Sequence, residues 1–397
     1  MLSAAYDLCR TATSKLFESI SCCLEPRRIG CTLRLQFPRP SRAFPLFLSL
    51  VSLRGFPNML LATRNASLGI LGLVFAANAQ TLTFTNYSTA NGLGSNVVLG
   101  VFASGSTIYA ATDAGGLGIS RNGGTTWTNY TAANGLGSTY TRSVYASGSM
   151  IYVATSGGVS VSTNDGTSWT NYTTANGLGS NSVLSVYATG STLYAATENG
   201  FSISTNGGVN WTNSTTANGL GINSTRSAFS SGSAIYAGTD LGLGISTNGG
   251  TNWTNYNTAN GLGANSIRSV FASGSTIYAA TNGGGLSIST NGGANWTTYT
   301  TANGLASNTV WGTYALGSTI YAGTFGAGLS TSSNGGTAWT NYTTANGLGS
   351  NRVFGVFATD SAIYAATTGG LSIAVIPAPG AIMMLGAAGL LGRRRRA

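Results

Sequence analysis

The stretch from Asn260 to Thr300, NGLGANSIRSVFASGSTIYAATNGGGLSISTNGGANWTTYT, decides the fold because it holds four short strand-like segments separated by turns. Residues 266–272 and 276–281 are alternating and β-branched, with a Ser-Gly turn between them. A glycine-rich turn leads to residues 286–290, and Asn291-Gly292-Gly293 leads to residues 296–300. No helical period occurs, so the unit predicts four antiparallel strands, called a, b, c and d below.

The same unit occurs seven times along the chain. The string Asn-Gly-Leu recurs at intervals of 42 or 43 residues, beginning at Asn91, Asn134, Asn176, Asn218, Asn260, Asn303 and Asn346. An aromatic residue stands seven residues before each of these strings: Phe84, Trp127, Trp169, Trp211, Trp253, Trp296 and Trp339. A period of about 40–50 residues is typical of one propeller blade. We therefore predict an all-β, seven-bladed β-propeller of four-stranded antiparallel blades over residues 80–375.

The two ends of the repeat region complement each other. The last unit supplies strands a, b and c and ends near Ala374, whereas the segment Thr81–Tyr87 is a d-type strand without a blade. We expect this N-terminal strand to complete the seventh blade. Such closure removes the open sheet edges that would otherwise pair with other chains.

The amino-acid composition restricts the catalytic and metal sites that the chain can form. The 397 residues include 58 Gly, eight acidic residues and no His, so a Ser-His-Asp triad and imidazole metal sites are excluded. The few carboxylates are not clustered at ligand spacing, and we predict no cofactor, no metal and no catalysis. Residues 80–392 carry five Arg and five acidic residues, so the net charge of +10 comes from the two ends. This balance argues against nucleic-acid binding.

Both ends of the chain have the pattern of targeting signals. Arg64, an apolar run over residues 66–77 and Ala77-Asn78-Ala79 before Gln80 are typical of a signal peptide over residues 59–79, cut by signal peptidase. Residues 1–58, which contain all four cysteines, are then an upstream artefact or a longer leader. At the other end, Pro377-Ala378-Pro379, a short apolar run and Arg393–Arg396 resemble the PEP-CTERM sorting signal over residues 376–397. That resemblance implies an exosortase-type processing enzyme, transient membrane contact and delivery to the cell envelope or extracellular matrix.

Two further resemblances concern the repeat. The turn Ser246-Thr247-Asn248-Gly249-Gly250-Thr251-Asn252-Trp253 resembles the Asp-box of sialidase-like propellers, with Asn at the Asp place in all six copies. In that family the box is a structural hairpin between strands c and d. The stretch Thr174–Ser204 resembles the two-component-regulator propeller repeat, which implies a periplasmic sensor module.

Positions that vary among the copies are not dictated by the fold. The residue eight after each marker Asn varies most, and it lies near the start of strand a, facing the central channel: Leu99, Arg142, Leu184, Arg226, Arg268, Trp311 and Phe354. Six after the Asn stand Tyr140 and Arg352, and the b–c turns carry Asp113, Glu198 and Asp240. Because the d–a and b–c connections emerge on the same face, we expect one charged rim. The candidate ligand-binding residues are Arg142, Arg226, Arg268, Arg352, Trp311, Tyr140, Asp113, Glu198 and Asp240.

Two interpretations of this rim remain open. In the first, the arginines bind carboxylate, sulfate or phosphate groups and Trp311 stacks on a sugar or apolar ring. In the second, the acids and arginines pair between neighbouring blades and keep the rim soluble. The sequence favours a secreted, non-catalytic binding or structural module for polysaccharide or an envelope protein. The alternatives are a sialidase-like glycoside hydrolase or lyase and a periplasmic sensor-type propeller.

Overall fold

The computed structural model describes residues 20–25, 28–33 and 82–377. Near the N-terminus it describes an antiparallel hairpin with strands Ile20–Glu25 and Arg28–Leu33. The predicted signal peptide and nearly all of the predicted sorting tail lie outside the described residues. Among the described residues, no helix has the length and apolarity needed to cross a bilayer.

Residues 85–375 form seven four-stranded sheets in which each strand pairs antiparallel with the next, in the order a-b-c-d. Strand a of each blade contacts strand a of both neighbours, and the last blade contacts the first, so strand a is innermost and the ring is closed. This confirms the predicted seven-bladed β-propeller. Blade 1 begins at Val98 and blade 7 at Val353.

The strand bounds are nearly constant from blade to blade. Strands a are Val98–Ser104, Thr141–Ser147, Val183–Thr189, Thr225–Ser231, Ile267–Ser273, Val310–Leu316 and Val353–Ala358. Strands b are Thr107–Thr112, Met150–Thr155, Thr192–Thr197, Ala234–Thr239, Thr276–Thr281, Thr319–Thr324 and Ala362–Thr367. Strands c are Gly116–Ser120, Gly158–Ser162, Gly200–Ser204, Gly242–Ser246, Leu286–Ser289, Gly328–Ser332 and Gly370–Val375. Strands d are Thr128–Tyr130, Thr170–Tyr172, Thr212–Ser214, Thr254–Tyr256, Thr297–Tyr299, Thr340–Tyr342 and, for blade 7, Thr85–Tyr87.

The ring closes through the N-terminal strand, as predicted. Thr85 pairs with Ile373 and Tyr87 with Leu371 in an antiparallel ladder. The Phe84 N–H donates to the Asn346 carbonyl at 2.8 Å, the same bond that Trp211 and Trp253 make to the marker Asn before them. Phe84 is buried, so it fills the structural place of the repeat tryptophan.

The Asn-Gly-Leu marker forms a short 3₁₀ turn, which the sequence did not predict. The turns are Thr89–Asn91, Ala132–Asn134, Thr174–Asn176, Thr216–Asn218, Thr258–Asn260, Thr301–Asn303 and Thr344–Asn346. In the third turn, the Asn176 side chain accepts from the Thr173 N–H at 2.9 Å, and Gly177 adopts the left-handed conformation that favours glycine. Leu178 is buried against the preceding blade. Each residue of the marker therefore has a structural task.

The hydrophobic core is divided into layers between adjacent blades. One layer joins Tyr236 and Leu243 of blade 4 to Leu262, Ile267 and Ile277 of the next unit. The repeat tryptophans pack at the same junctions, for example Trp169 edge-on against Tyr130 at 5.8 Å. These tryptophans therefore act as packing residues between blades.

Candidate functional site

A β-bulge interrupts strand a in every blade. In blade 5 the register passes from Ile267 opposite Thr281 directly to Ser269 opposite Ala280, which leaves Arg268 unpaired. The residues at the corresponding shifts are Leu99, Arg142, Leu184, Arg226, Trp311 and Phe354. A bulge re-aims the side chain of the extra residue. The position that varies most in sequence is therefore the one that the ladder does not constrain.

These seven bulge residues surround a cavity of about 220 Å³ at the start of the innermost strands. Its wall also includes the Gly or Ser that follows each bulge residue and Thr313 of blade 6. Arg142, Arg226, Arg268 and Trp311 thus share one cavity, as their sequence positions predicted. No acidic residue lines it among residues 82–377.

The b–c turns lie beside this cavity mouth. The first turn residue of a blade donates its N–H to the carbonyl just before strand a: Asp113 to Val97 at 2.9 Å and Glu198 to Ser182 at 3.2 Å. The rim therefore carries the predicted acids next to the predicted arginines. On the c–d side, Arg121 donates to the Asp165 carbonyl at 2.7 Å and takes no part in the cavity.

One ion pair forms within the described residues, and it lies inside a blade. Arg226 donates through both Nε and Nη2 to Asp240 Oδ2, the Nε bond being 2.8 Å, and both residues belong to blade 4. Ser266 of the next unit donates to Asp240 Oδ1 at 2.7 Å. The Arg226 hydrogen bonds hold the pKa of Asp240 below its usual value. The predicted alternative of pairing between neighbouring blades is wrong for this pair, because the b–c turn of a blade lies next to that blade's own strand a.

Arg268 lines the cavity and forms no ion pair within the described residues. Its Cζ stands 5.5 Å from the centroid of the Trp311 ring, an attractive cation–π distance. Its Nε is buried and has no hydrogen-bond partner among the described residues. Burial and then the Arg226 charge lower the pKa of Arg268, and the Asp240 charge partly opposes them. A buried unpaired donor costs about 1–3 kcal/mol.

Blades 6 and 7 form an aromatic wall, of which only Trp311 was among the candidate residues predicted from the sequence. Trp311 stacks on Phe325 with centroids 4.5 Å apart and lies 5.0 Å from Phe354. Arg352 places its Cζ 5.0 Å from the Phe325 centroid. Phe325 and Phe354 occupy the same variable positions as the predicted residues, so variation among the copies was the available signal.

The other predicted residues stay apart. Arg142 lines the cavity but is exposed and makes no ion pair within the described chain. Asp113 and Glu198 are exposed on the rim, and Tyr140 is 52% exposed. The ion pair, the cation–π contacts and the aromatic stacking at the cavity mouth therefore all lie on blades 4 to 7. The candidate residues of blades 1 to 3 take no part in them.

A closed ring of aromatic side chains lies deeper on the axis. It consists of the residues eleven after each marker Asn: Phe102, Tyr145, Tyr187, Phe229, Phe271, Tyr314 and Phe357. Successive centroids are 4.5–5.1 Å apart around the whole circle. Burial raises the pKa of Tyr145, Tyr187 and Tyr314, so their hydroxyls stay neutral. We call this ring the collar; none of its residues lines the cavity.

The comparisons with known proteins agree with the fold. The model of the DUF6242 β-propeller domain family matches residues 76–234. No curated protein matches the chain by sequence.

Solved structures resemble the whole propeller. The extracellular domain assigned to a hybrid two-component system of B. thetaiotaomicron has a TM-score of 0.63 at 19% identity, over 74% of this chain and 41% of that one. YCF48 from Cyanidioschyzon merolae has a TM-score of 0.57 at 16% identity, over 74% and 99%. A GH74 enzyme of Niastella koreensis has a TM-score of 0.53 at 22% identity, over 71% and 43%. The fold thus occurs in proteins of different activities, and the site must decide the function.

Proposed function

We propose that this protein is an exported, non-catalytic binding module that holds an anionic polysaccharide at the mouth of its central channel. The observation that carries the proposal is the cavity lined by Arg142, Arg226 and Arg268 and by no carboxylate of the described chain. Guanidinium groups bind carboxylate and sulfate groups through paired hydrogen bonds. Because Asp240 neutralises Arg226, the unpaired positive charge at the cavity is that of Arg142 and Arg268.

The surroundings of the rim carboxylates favour a binding role over glycoside hydrolysis. Glycoside hydrolysis needs one acid with a raised pKa and one ionised partner facing the same bond. Asp240 has a lowered pKa and is held by Arg226 and Ser266, so it is unsuited to act as the acid. Asp113 and Glu198 are exposed on different blades. The GH74 likeness is therefore taken as a likeness of fold.

Export is supported by two independent features. Residues 59–79 have the pattern of a signal peptide, and the domain of B. thetaiotaomicron with the same fold is extracellular. The PEP-CTERM-like residues 376–397 add delivery to the cell surface or matrix after exosortase-type processing. An envelope protein instead of a polysaccharide is the second ligand class that an arginine-lined mouth admits.

The proposal is tested by binding of the purified full-length chain to alginate, dextran sulfate and neutral dextran. We expect the two anionic polymers to bind and dextran not to bind. The variant with Arg142, Arg226 and Arg268 all changed to Ala should lose this binding, whereas Arg121→Ala, on the opposite face, should keep it. Equal loss in both variants, or unchanged binding by the triple variant, would contradict the proposal. Turnover of any polymer that Asp240→Asn abolishes would favour a hydrolase.

A further inference from the structure

A second cavity, of about 340 Å³, lies between blades 5 and 6 on the face opposite the channel mouth. We call it the lateral cavity. Its buried part includes Ile288 of blade 5 and Ile320 of blade 6. Its exposed rim includes hydroxyl and amide side chains of both blades: Thr290, Asn291, Asn295, Thr297 and Ser318. Pockets that bind small molecules hold about 300–1,000 Å³, so the lateral cavity has room for a ligand of one sugar residue.

The junction between blades 5 and 6 is packed less completely than the equivalent junctions. Tyr278 of strand b is partly exposed, whereas the tyrosines at the same place in the other blades are buried: Tyr109, Tyr152, Tyr194, Tyr236, Tyr321 and Tyr364. Ala315 of strand a is also partly exposed, and its counterparts are buried: Ala103, Ala146, Ala188, Ser230, Ala272 and Ala358. The lateral cavity is therefore a feature of this junction and not of the repeat.

The lateral cavity is open at a place where another junction is bridged. Thr290 of blade 5 and Gly335 of blade 6 are exposed lining residues. Between blades 1 and 2 the same two places hold Arg121 and Asp165, and Arg121 Nη2 donates to the Asp165 carbonyl at 2.7 Å. A threonine is too short to make this bridge. The side chains at this junction therefore leave the cavity accessible from solvent.

The lining favours an uncharged ligand. No charged residue lines the lateral cavity within residues 82–377, so a charged group would lose hydration without gaining an ionic partner. Burial raises the pKa of the Tyr278 hydroxyl, which therefore stays neutral. Asn291 Oδ1 accepts from the Asn295 N–H at 2.9 Å and from the Ser289 hydroxyl at 3.0 Å, which fixes the Asn291 amide. Fixed amide and hydroxyl groups can donate to and accept from the hydroxyl and amide groups of a neutral ligand.

The buried part of the lateral cavity requires an apolar group. Ile288 and Ile320 are 8% and 3% exposed, and their side chains offer no hydrogen bond. A simple hexose would place a hydroxyl against them without a partner, which costs about 1–3 kcal/mol. A methyl group in the same place gains from burial instead. An acetamido group joins such a methyl to an N–H and a C=O, which match the amide and hydroxyl groups of the rim.

We propose that the lateral cavity binds one N-acetylated amino sugar residue, with its acetamido methyl group on Ile288 and Ile320. The sugar ring lies beside Tyr278, and the side chains of Asn291 and Asn295 hydrogen-bond to its polar groups. This site is separate from the channel mouth and does not depend on the proposed function. Alginate and dextran carry no acetamido group, so neither of them is a ligand of the lateral cavity.

The test is saturation-transfer difference NMR of the full-length protein with two neutral sugars. Methyl N-acetyl-β-D-glucosaminide should receive saturation, most strongly at its acetamido methyl, whereas methyl β-D-glucoside at equal concentration should receive none. Thr290→Arg copies Arg121 and should weaken binding at least tenfold. Thr205→Arg puts the same residue at the junction of blades 3 and 4 and is the matched control, which should bind like the wild type.

A second variant tests the rim. Asn295→Ala should weaken binding of the acetamido sugar at least threefold because it removes one amide from the cavity. The fold accepts alanine there, since Ala338 has the same place in blade 6 and makes the same backbone bond to Asn334 at 3.0 Å. Urea unfolding of each variant at the wild-type midpoint shows that it is folded.

Three results would overturn the inference. Equal saturation of the two glycosides would contradict selection of the acetamido group. Wild-type affinity in Thr290→Arg, or equal loss in Thr290→Arg and Thr205→Arg, would place the sugar elsewhere. Absence of saturation with the folded wild type would remove the site. Alginate binding, measured on the same samples, keeps the two proposals apart: it should be lost in the triple arginine variant and unchanged in Thr290→Arg.

Discussion

Replacement of Phe84 by Ala tests how the ring is held closed. Phe84 is 4% exposed and packs edge-on against Tyr342 with centroids 5.7 Å apart, in the layer that contains Leu348 and Val353. Truncation of a buried Phe to Ala costs about 3–5 kcal/mol. The strand it anchors, Thr85–Tyr87, has three ladder positions, so the change should also loosen the edge of blade 7.

The assay is urea unfolding followed by tryptophan fluorescence, with limited proteolysis of the N-terminal strand. We expect Phe84→Ala to lower the free energy of unfolding by about 3–5 kcal/mol and to be cleaved early near residue 88. Phe84→Trp restores the residue of the other six units and should cost less than about 1.5 kcal/mol. A loss below about 1 kcal/mol in Phe84→Ala, with the strand still protected, would refute closure through this side chain.

Four further predictions concern three positions, Asp240, Leu220 and Gly177. Asp240→Asn should lower the free energy of unfolding, measured in urea, by about 1 kcal/mol, since the Arg226–Asp240 pair is a third exposed. The same change should tighten alginate binding because it frees Arg226, and weaker binding would contradict this. Because the folded pKa of Asp240 is lowered, the stability difference between wild type and Asp240→Asn should be full above about pH 4 and decline as the pH falls below that value towards the folded pKa; a difference that stays constant or grows as the pH falls below about 4 would be contrary. Leu220→Ala should cost about 2–5 kcal/mol by thermal or urea unfolding, because Leu220 is 3% exposed between blades, and a near-neutral result would argue against the marker's core role. Gly177→Ala should lower the free energy of unfolding by more than about 1 kcal/mol, because φ is +95° and a Cβ would meet the Trp211 carbonyl at 2.5 Å; a stabilised variant would contradict the left-handed conformation of Gly177.

The periodic features could be predicted from the sequence. Repeated Asn-Gly-Leu strings and tryptophans fixed the blade count, and the lone strand before Ser88 predicted the closure. These features are local or repeated seven times, so each copy supports the others. The 3₁₀ turn at the marker was missed because three residues are too few to show a helical period.

The site could be predicted only in part. Variation among copies singled out Arg142, Arg226, Arg268 and Trp311, and they do share one cavity. The bulge that orients them leaves no signal in a single strand, because it is a shift in pairing. The choice of Arg226 as the partner of Asp240, and the stacking of Trp311 on Phe325, depend on distances within and between blades that the repeat pattern does not contain.

The most direct test of the central claim is hydrogen–deuterium exchange of the full-length protein with and without alginate. We predict that alginate slows exchange at the beginnings of strands Ile267–Ser273 and Val310–Leu316, where the bulge residues interrupt the backbone ladder. The triple arginine variant should show no such protection. Protection confined to the c–d turns or the outer d strands would place the ligand on another face and contradict a binding site at the channel mouth.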